Sequence, residues 1–168
     1  ETWPANRVAR KVLISTANLR QALASTAAWM HQRGQREVER VELLRQLASS
    51  LNCTKARSAE QLAAHCLDVA TVHSGILVES SPDKFEFLHL TFTEYLAADQ
   101  YVQIDNLAEL AAQRSDSRYK ETISFAAGIL AHVQRRREAA DTFLRCLSAE
   151  APGSLDRLLH PNSPLATT

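Results

Sequence analysis

Residues 85–98 read FEFLHLTFTEYLAA, and the spacing of the apolar residues changes within this stretch. Residues 85–90 alternate as a β-strand does, and the turn sequence SPDK separates them from a second β-rich run at residues 76–78. Thr91 and Glu94 then have the spacing of a capping box, and apolar side chains follow at helical intervals. The stretch therefore predicts a β-hairpin whose second strand leads directly into a helix.

Three helices are predicted ahead of the hairpin, because apolar residues recur there every three or four positions. They span residues 19–33, 37–51 and 58–74. Gly34 and Gly75 provide left-handed C-caps for the first and the third of them. Three helices, a hairpin and a following helix describe a winged helix, which is a variant of the helix-turn-helix. The predicted fold class is mainly α, with a winged-helix domain followed by a short helical array.

The remainder of the chain is also rich in helical patterns. Ahead of the winged helix, residues 8–19 are expected to form a helix. Behind it, shorter helices are expected at residues 107–113, 119–133, 138–149 and 155–160. We place the winged-helix domain at residues 19–103, and the helical region with its C-terminal tail at residues 104–168.

The composition is that of a globular chain with no net formal charge. Hydrophobic residues make up 45% of the 168 residues, which is enough for a core, and 19 basic residues balance 19 acidic ones. No apolar run approaches the roughly 18 residues that cross a bilayer, and the N-terminus lacks the pattern of a signal peptide. Cys53, Cys66 and Cys146 form no CxxC pair and fit buried thiols in a reducing compartment. We therefore expect a cytoplasmic protein that binds neither nucleic acid nor a membrane.

Independent catalysis is not expected. A phosphate-binding loop needs two glycines five residues apart, followed by a lysine and a hydroxyl residue, and the four glycines of the chain do not supply it. Motifs for a metalloprotease, a nucleophile elbow or a zinc site are also missing from the sequence. His65, Cys66, Asp68 and His73 lie close together in the third helix, but a buried thiol beside surface histidines is the ordinary arrangement. We predict no catalytic residue, no metal and no cofactor for this chain alone.

A winged helix also fits a DNA-binding protein, in which the third helix enters the major groove. Residues 58–74 contain Glu60 and Asp68 but no lysine or arginine, and the hairpin adds the single cation Lys84. Phosphate contacts supply most of the non-specific affinity for DNA, so this surface is expected to bind DNA poorly. The basic run at residues 135–137 lies between two predicted helices and is interpreted as a solvated loop.

The stretch at residues 85–98 resembles the signature FxFxHxxFxE(Y/F)xAA in the winged-helix domain of NACHT-type NTPases of the STAND class, which includes animal NLR receptors and bacterial antiviral sensors. Every fixed position of that signature is matched. Residues 24–51 resemble the family's stretch of helix, glycine and helix, and residues 74–78 resemble its usual entry into the hairpin. Residues 118–130 are similar to the first helix of the helical superstructure that follows, although Tyr119 stands where tryptophan is frequent.

The resemblance implies a regulatory module of a signalling NTPase. A nucleotide-binding core that carries ADP or ATP with Mg²⁺ would precede Glu1, and residues 1–18 would end the small helical domain that links this core to the winged helix. The partners would be that core in the same polypeptide and further copies of the parent protein, which forms a homo-oligomer on activation. The biological role implied is innate or antiviral defence.

The resemblance also assigns a nucleotide-sensing role to His89. In the family, the histidine at the end of the second wing strand contacts the β-phosphate of ADP and holds the module closed, and His89 is the matching residue. Alternation with a period of two places His89 on the same face as Phe85 and Phe87. The residues expected to support the site by packing or capping are Phe85, Phe87, Thr91, Phe92, Glu94 and Tyr95.

Three functions stay open on the sequence alone. The first is the regulatory module of a NACHT-type NTPase, which responds to ADP and ATP without hydrolysing them. The alternative is a winged-helix transcription regulator, which would bind DNA in a salt-dependent manner. The third is a purely structural helical adaptor, in which His89 would be replaceable without consequence.

Overall fold

The computed structural model describes residues 14–51 and 56–148. The first half is a three-stranded sheet among helices, and the second half is helical. The first half contains α1 (Thr16–Gln32), β1 (Glu37–Glu39), α2 (Arg40–Ser49), α3 (Ala56–Asp68), β2 (Leu77–Ser81), β3 (Lys84–Phe87) and α4 (Leu90–Gln103). The second half contains α5 (Leu107–Ala112), α6 (Lys120–Gly128) and α7 (Arg137–Ser148). The predicted winged helix followed by short helices is confirmed, and the helix predicted at residues 155–160 lies outside the described residues.

Two of the helices continue into a single wide turn of π-helix. The turn Val69–His73 follows α3, and the turn Ile129–Val133 follows α6. Each turn closes with a backbone hydrogen bond that spans five residues, at 2.9 Å and 2.8 Å respectively. Two positions beyond each turn the backbone has a positive φ, +63° at Gly75 and +55° at Arg135. The predicted left-handed cap at Gly75 therefore ends a π turn rather than a regular α-helix.

Helix α1 begins at a side-chain cap and ends at a glycine. The hydroxyl of Ser15 accepts a backbone N–H of the first turn at 3.2 Å. Gly34 has a φ of +62°, which confirms the predicted left-handed C-cap. The predicted helix at residues 8–19 is wrong where it includes Ser15, because that residue is the extended cap from which α1 starts. Residues 8–13 of that prediction lie outside the described part of the chain.

A short strand, β1, occupies the start of the helix predicted at residues 37–51. Val38 is buried between two exposed glutamates and pairs with Phe85 of β3 in antiparallel register. The prediction is therefore wrong for Glu37–Glu39, and α2 begins only at Arg40. One buried residue between two exposed ones is too short a pattern to separate a strand from the first turn of a helix.

The predicted hairpin is confirmed, with β2 and β3 joined at Pro82 and Asp83. Leu77 pairs with Phe87 in antiparallel register, and the sheet has the strand order β1, β3, β2. Asp83 has a φ of +61°, and its carbonyl accepts the N–H of Arg40 at 2.8 Å. This bond ties the tip of the wing to the start of α2.

Two hydrophobic cores meet at α4. The first core joins α1, α2, α3 and the sheet, and Leu96 of α4 packs against it. The second core joins α4 to the helices behind it, through Ala98, Tyr101 and Val102. The domain limits after residues 18 and 103 stay predictions, since α1 crosses the first limit and α4 serves both cores.

A buried ion pair fixes α4 against α1. Asp99 is fully buried, and both of its carboxylate oxygens accept hydrogen bonds from the guanidinium of Arg20, at 2.5 Å and 2.7 Å. The side-chain amide of Gln103 donates a third hydrogen bond to Asp99 at 2.6 Å. The two helices also share a bond from the amide of Gln32 to the hydroxyl of Tyr101 at 2.9 Å. The carboxylate is therefore satisfied in a place where an unpaired charge would be costly.

The cysteines and the basic run are arranged partly as predicted. Cys66 is buried, whereas Cys146 is exposed, so the prediction of buried thiols is wrong for Cys146. Cys53 lies outside the described residues.

The solvated loop predicted at residues 135–137 is wrong at Arg137, because that residue already starts α7.

Loss of Arg20 is expected to destabilise the fold strongly. Arg20→Ala leaves the buried carboxylate of Asp99 with Gln103 as its remaining partner, and breaking a buried pair costs about 3 to 5 kcal/mol. Because 48% of the Arg20 side chain is exposed, we expect the lower end of that range, about 3 kcal/mol, from urea unfolding. Arg136→Ala, which breaks an exposed pair with Asp105, is the control and should cost less than about 1 kcal/mol. Equal losses in the two variants would contradict a stabilising role for the buried pair.

Candidate functional site

His89 joins the hairpin to the helix that follows it. Strand β3 ends at Phe87 and α4 begins at Leu90, and His89 is the extended residue ahead of that helix, with φ −134° and ψ 143°. Its carbonyl accepts the backbone N–H of Phe92 at 3.0 Å. Its ring lies beside the ring of Phe92, with the ring centroids 5.8 Å apart. The imidazole is exposed at the point where strand and helix meet.

The face predicted for His89 is wrong. Phe85 and Phe87 are buried in the first core, whereas His89 is exposed. Strand β3 ends at Phe87, and the N–H of Leu88 continues the pairing with the other strand by one residue, donating to the carbonyl of Ile76 at 2.9 Å. Alternation along a strand holds only while the strand continues, so it does not reach His89.

The capping box predicted at Thr91 and Glu94 is also wrong. Helix α4 starts at Leu90, one residue before Thr91, and its cap position is held by His89, whose side chain makes no capping hydrogen bond. The N-terminus of this 14-residue helix therefore has no side-chain cap. The amides at a helix N-terminus carry a partial positive charge and attract anions. An imidazole beside such amides forms a suitable contact for a phosphate group.

The residues next to His89 form an exposed apolar surface. Leu88 is 45% exposed, Leu90 64% and Phe92 39%, and all three lie within three residues of His89. We call these three residues the wing-exit patch. Tyr95 is one turn further along α4, where its ring meets that of Phe125 edge to face, with centroids 5.6 Å apart. Contiguous exposed apolar surface is a feature of protein interaction sites.

Glu94 lines one cavity with Leu90 and is nearly buried, with 9% of its area exposed. Burial raises the pKa of its carboxyl group above the usual value, and the nearby charge of Glu121 raises it further. Among the described residues, no group donates a hydrogen bond to its carboxylate. The supporting residues predicted around His89 therefore differ in their burial. Phe85 and Phe87 are buried in the core, and Glu94 is a buried acid. Thr91, Phe92 and Tyr95 are exposed.

The histidine, cysteine and aspartate side chains considered above as a metal site, near the end of α3, are divided between the core and the surface. Burial raises the pKa of the Cys66 thiol to about 11, so the thiol stays protonated at neutral pH. His73 and Asp68 lie on the surface with their side chains 3.8 Å apart. Across residues 14–51 and 56–148, no three side chains of the metal-binding types are grouped closely enough to hold a metal ion. None of the helices in these same ranges has both the length and the apolar character to span a bilayer.

The order of the elements, with a β1-β3-β2 sheet and a hairpin that leads into α4, defines a winged helix-turn-helix domain with a helical extension. The chain belongs to the family described as the winged helix-turn-helix domain C-terminal to NACHT, whose model matches residues 2–101. This match includes His89 and most of α4, and it confirms the resemblance found in the sequence. No curated protein and no solved structure matches the chain significantly. The protein is a regulatory module of the kind associated with NACHT domains.

Sequence reasoning missed two residues that the fold brings to Glu94. His31, near the end of α1, and Gln35, just after it, line one cavity with Glu94. Neither residue lies in a recognisable motif, and both are distant from Glu94 in the chain. No pattern in the sequence indicates this group.

Replacement of Glu94 by glutamine is expected to stabilise the protein at neutral pH. The raised pKa means that the folded state prefers the neutral carboxyl, so the stability it provides is present below about pH 4.5 and is lost as pH rises through the folded pKa. Glu94→Gln keeps the neutral shape at every pH. Thermal unfolding at pH 7 should show a gain in stability, and the gain should vanish near pH 4.

Glu60→Gln, at an exposed position of α3, is the control for this experiment and should show no such pH dependence. A Glu94→Gln variant that is equally stable or less stable at pH 7 would show that the ionised carboxylate is well accommodated.

Proposed function

We propose that this chain is the nucleotide-responsive module of a NACHT-type signalling NTPase, and that His89 binds the β-phosphate of ADP held by the NACHT domain. The observation that carries the proposal is the position of His89, exposed and extended at the uncapped start of α4, inside the region matched by the family. The proposed partner is the nucleotide-binding core of the same polypeptide, which would carry ADP or ATP with Mg²⁺.

The backbone around His89 supports this role because it is held on both sides. On the strand side, β3 is the central strand of the sheet and pairs with both β1 and β2. On the helix side, the carbonyl of His89 accepts the N–H of Phe92 in the first turn of α4. An imidazole on a fixed backbone loses little conformational entropy when it binds a phosphate.

The wing-exit patch gives the module a surface to dock with. Its three apolar side chains surround the imidazole in sequence and are from 39% to 64% exposed. Docking on the nucleotide-binding core would remove this apolar area from water, which stabilises the closed state independently of the phosphate contact. Docking and nucleotide contact would then occur at one place.

The size of the phosphate contact fits a switch. A hydrogen bond to a charged group contributes about 1.5 to 3 kcal/mol, which shifts an equilibrium roughly ten- to 150-fold. With ADP bound, His89 would hold the module closed. Exchange of ADP for ATP, which adds a γ-phosphate to the β-phosphate that His89 contacts, would together with ligand sensing release the module, so that the parent protein forms a homo-oligomer in innate or antiviral defence.

His89→Ala in the intact parent protein is expected to speed the release of ADP at least about tenfold and to raise the basal activity. Release is measured with a fluorescent ADP analogue after dilution into unlabelled nucleotide. His132→Ala, which replaces an exposed histidine on the π turn after α6, is the matched control and should change neither quantity.

Unchanged ADP release and unchanged activity in His89→Ala would contradict the proposal. Salt-dependent DNA binding by the 168-residue chain at micromolar concentration would instead support a transcription regulator.

A further inference from the structure

A groove lies beside the second core, between α7 and the end of α6 with its π turn. Gly128 and Ala131 line one side of it, and Arg137, Asp141 and Leu144 line the other. Its volume is about 490 Å³, far more than the roughly 30 Å³ that a water molecule occupies in the liquid. The groove therefore has room for several side chains.

The apolar part of this groove is left open by the described residues. Leu144 is 49% exposed, although its neighbour Phe143 is buried in the second core. At Gly128, an added Cβ would meet no described atom within 4 Å. A glycine without a neighbour above it allows another backbone to approach closely. The groove can thus accept a helix as well as single side chains.

Two charged side chains at the groove have no ion-pair partner among the described residues. Arg137 and Asp141 lie one turn apart on α7, and neither takes part in any ion pair that the described residues form. Both side chains are exposed. Arg137 also stands in the first turn of α7, where a cation opposes the partial positive charge of the helix N-terminus. An acidic group beside Arg137 would offset this unfavourable interaction.

The chain itself continues beyond α7 with a sequence of matching chemistry. Residues 154–160 read SLDRLLH, which is where the sequence predicts a short helix. Leu155, Leu158 and Leu159 have the spacing of one helix face, and Asp156 falls beside that face. So short a helix is unstable by itself in water, because helices gain most of their stability from packing an apolar face. Its leucines therefore need a surface to cover.

The groove is within reach of this segment. Helix α7 ends at Ser148, and Leu144 lies four residues earlier, about 6 Å along the helix axis. Residues 149–154 connect Ser148 to Leu155, and a connection of that length spans at most about 20 Å.

This short connection favours the segment over a separate partner. A short tether gives a binding segment an effective concentration of about millimolar. The groove is lined by eight residues, whereas a stable interface between separate proteins uses roughly 20 to 30 residues on each side. A surface of this size is suited to a tethered segment.

We propose that residues 154–160 bind in this groove as a helix, so that their three leucines cover Leu144 and the open space at Gly128. Asp156 then pairs with Arg137. The occupant of the groove is thus the C-terminal segment of the same chain. The proposal does not depend on the function proposed above.

The test is a methyl NMR experiment on the 168-residue chain, in which nuclear Overhauser contacts report methyl groups that lie close together. We expect contacts from the leucine methyls of residues 155–159 to the methyls of Ala131 and Leu144. Leu158→Ala removes one apolar contact but keeps a residue of the highest helix propensity, so the contacts of the other two leucines should weaken at least about tenfold. Arg157→Ala is the matched control, because a helix places Arg157 opposite the leucines, and its contacts should be unchanged.

A second variant blocks the groove from the other side. Gly128→Leu places a side chain in the open space and raises the helix propensity of α6, so α6 should stay folded. We expect the contacts between the segment and Leu144 to be lost in this variant.

A charge exchange tests the ion pair. Arg137→Glu places two acidic groups together and should weaken the contacts about twofold to fivefold, although it suits the N-terminus of α7 better than arginine does. Asp156→Arg, added to Arg137→Glu, restores opposite charges and should restore the contacts.

The proposal is overturned if the contacts are absent from the original chain, persist unchanged in Gly128→Leu, or are not restored by the charge exchange. Contacts that disappear on dilution, together with a dimer in analytical ultracentrifugation, would show that a second copy of the chain fills the groove, and would overturn the proposal as well.

Discussion

The carboxylate of Asp99 is fully buried on α4 and receives hydrogen bonds from Arg20 of α1 and from Gln103. A carboxylate in such a place is stable only if its partners keep their positions, so this contact favours the observed placement of α4 against α1. The first core holds α1 in the winged helix, and the second core holds α4 to the helices behind it. The two halves of the molecule are therefore joined through α4, which packs against both cores, rather than by a linker.

The hairpin and the helix after it could be predicted because their signals are local. A change of period from two to helical spacing and a turn sequence are visible within a few residues. β1 could not be predicted, since its pattern is a single buried valine between two glutamates, and its partner strand is β3, far away in the chain. The first turn of α4 was misjudged for a related reason. A spacing that fits a capping box does not fix where a helix begins when the preceding strand already stops at Phe87.

The candidate site, like the fold, could be predicted only in part. The position of His89 between strand and helix follows from the motif, and the structure confirms that position, but its exposure and the uncapped start of α4 do not follow. Glu94 belongs to the same motif, yet it is buried, and its neighbours His31 and Gln35 come from the other end of the winged helix. Such groups depend on how distant segments pack, and a single sequence contains no record of that packing.

The shared helix α4 has a mechanical consequence. Its 14 residues make a rod about 21 Å long, with His89 at one end and the second core at the other. A tilt of about 10° around the His89 end moves the far end by roughly 3.6 Å, since the rod of about 1.5 Å per residue does not bend over this length. Helices that pack side by side cannot absorb a displacement of that size without shifting against each other. A rearrangement at His89 that tilts α4 would thus strain the contact of Asp99 with Arg20, and it would reach the helices behind α4 as a change in their packing.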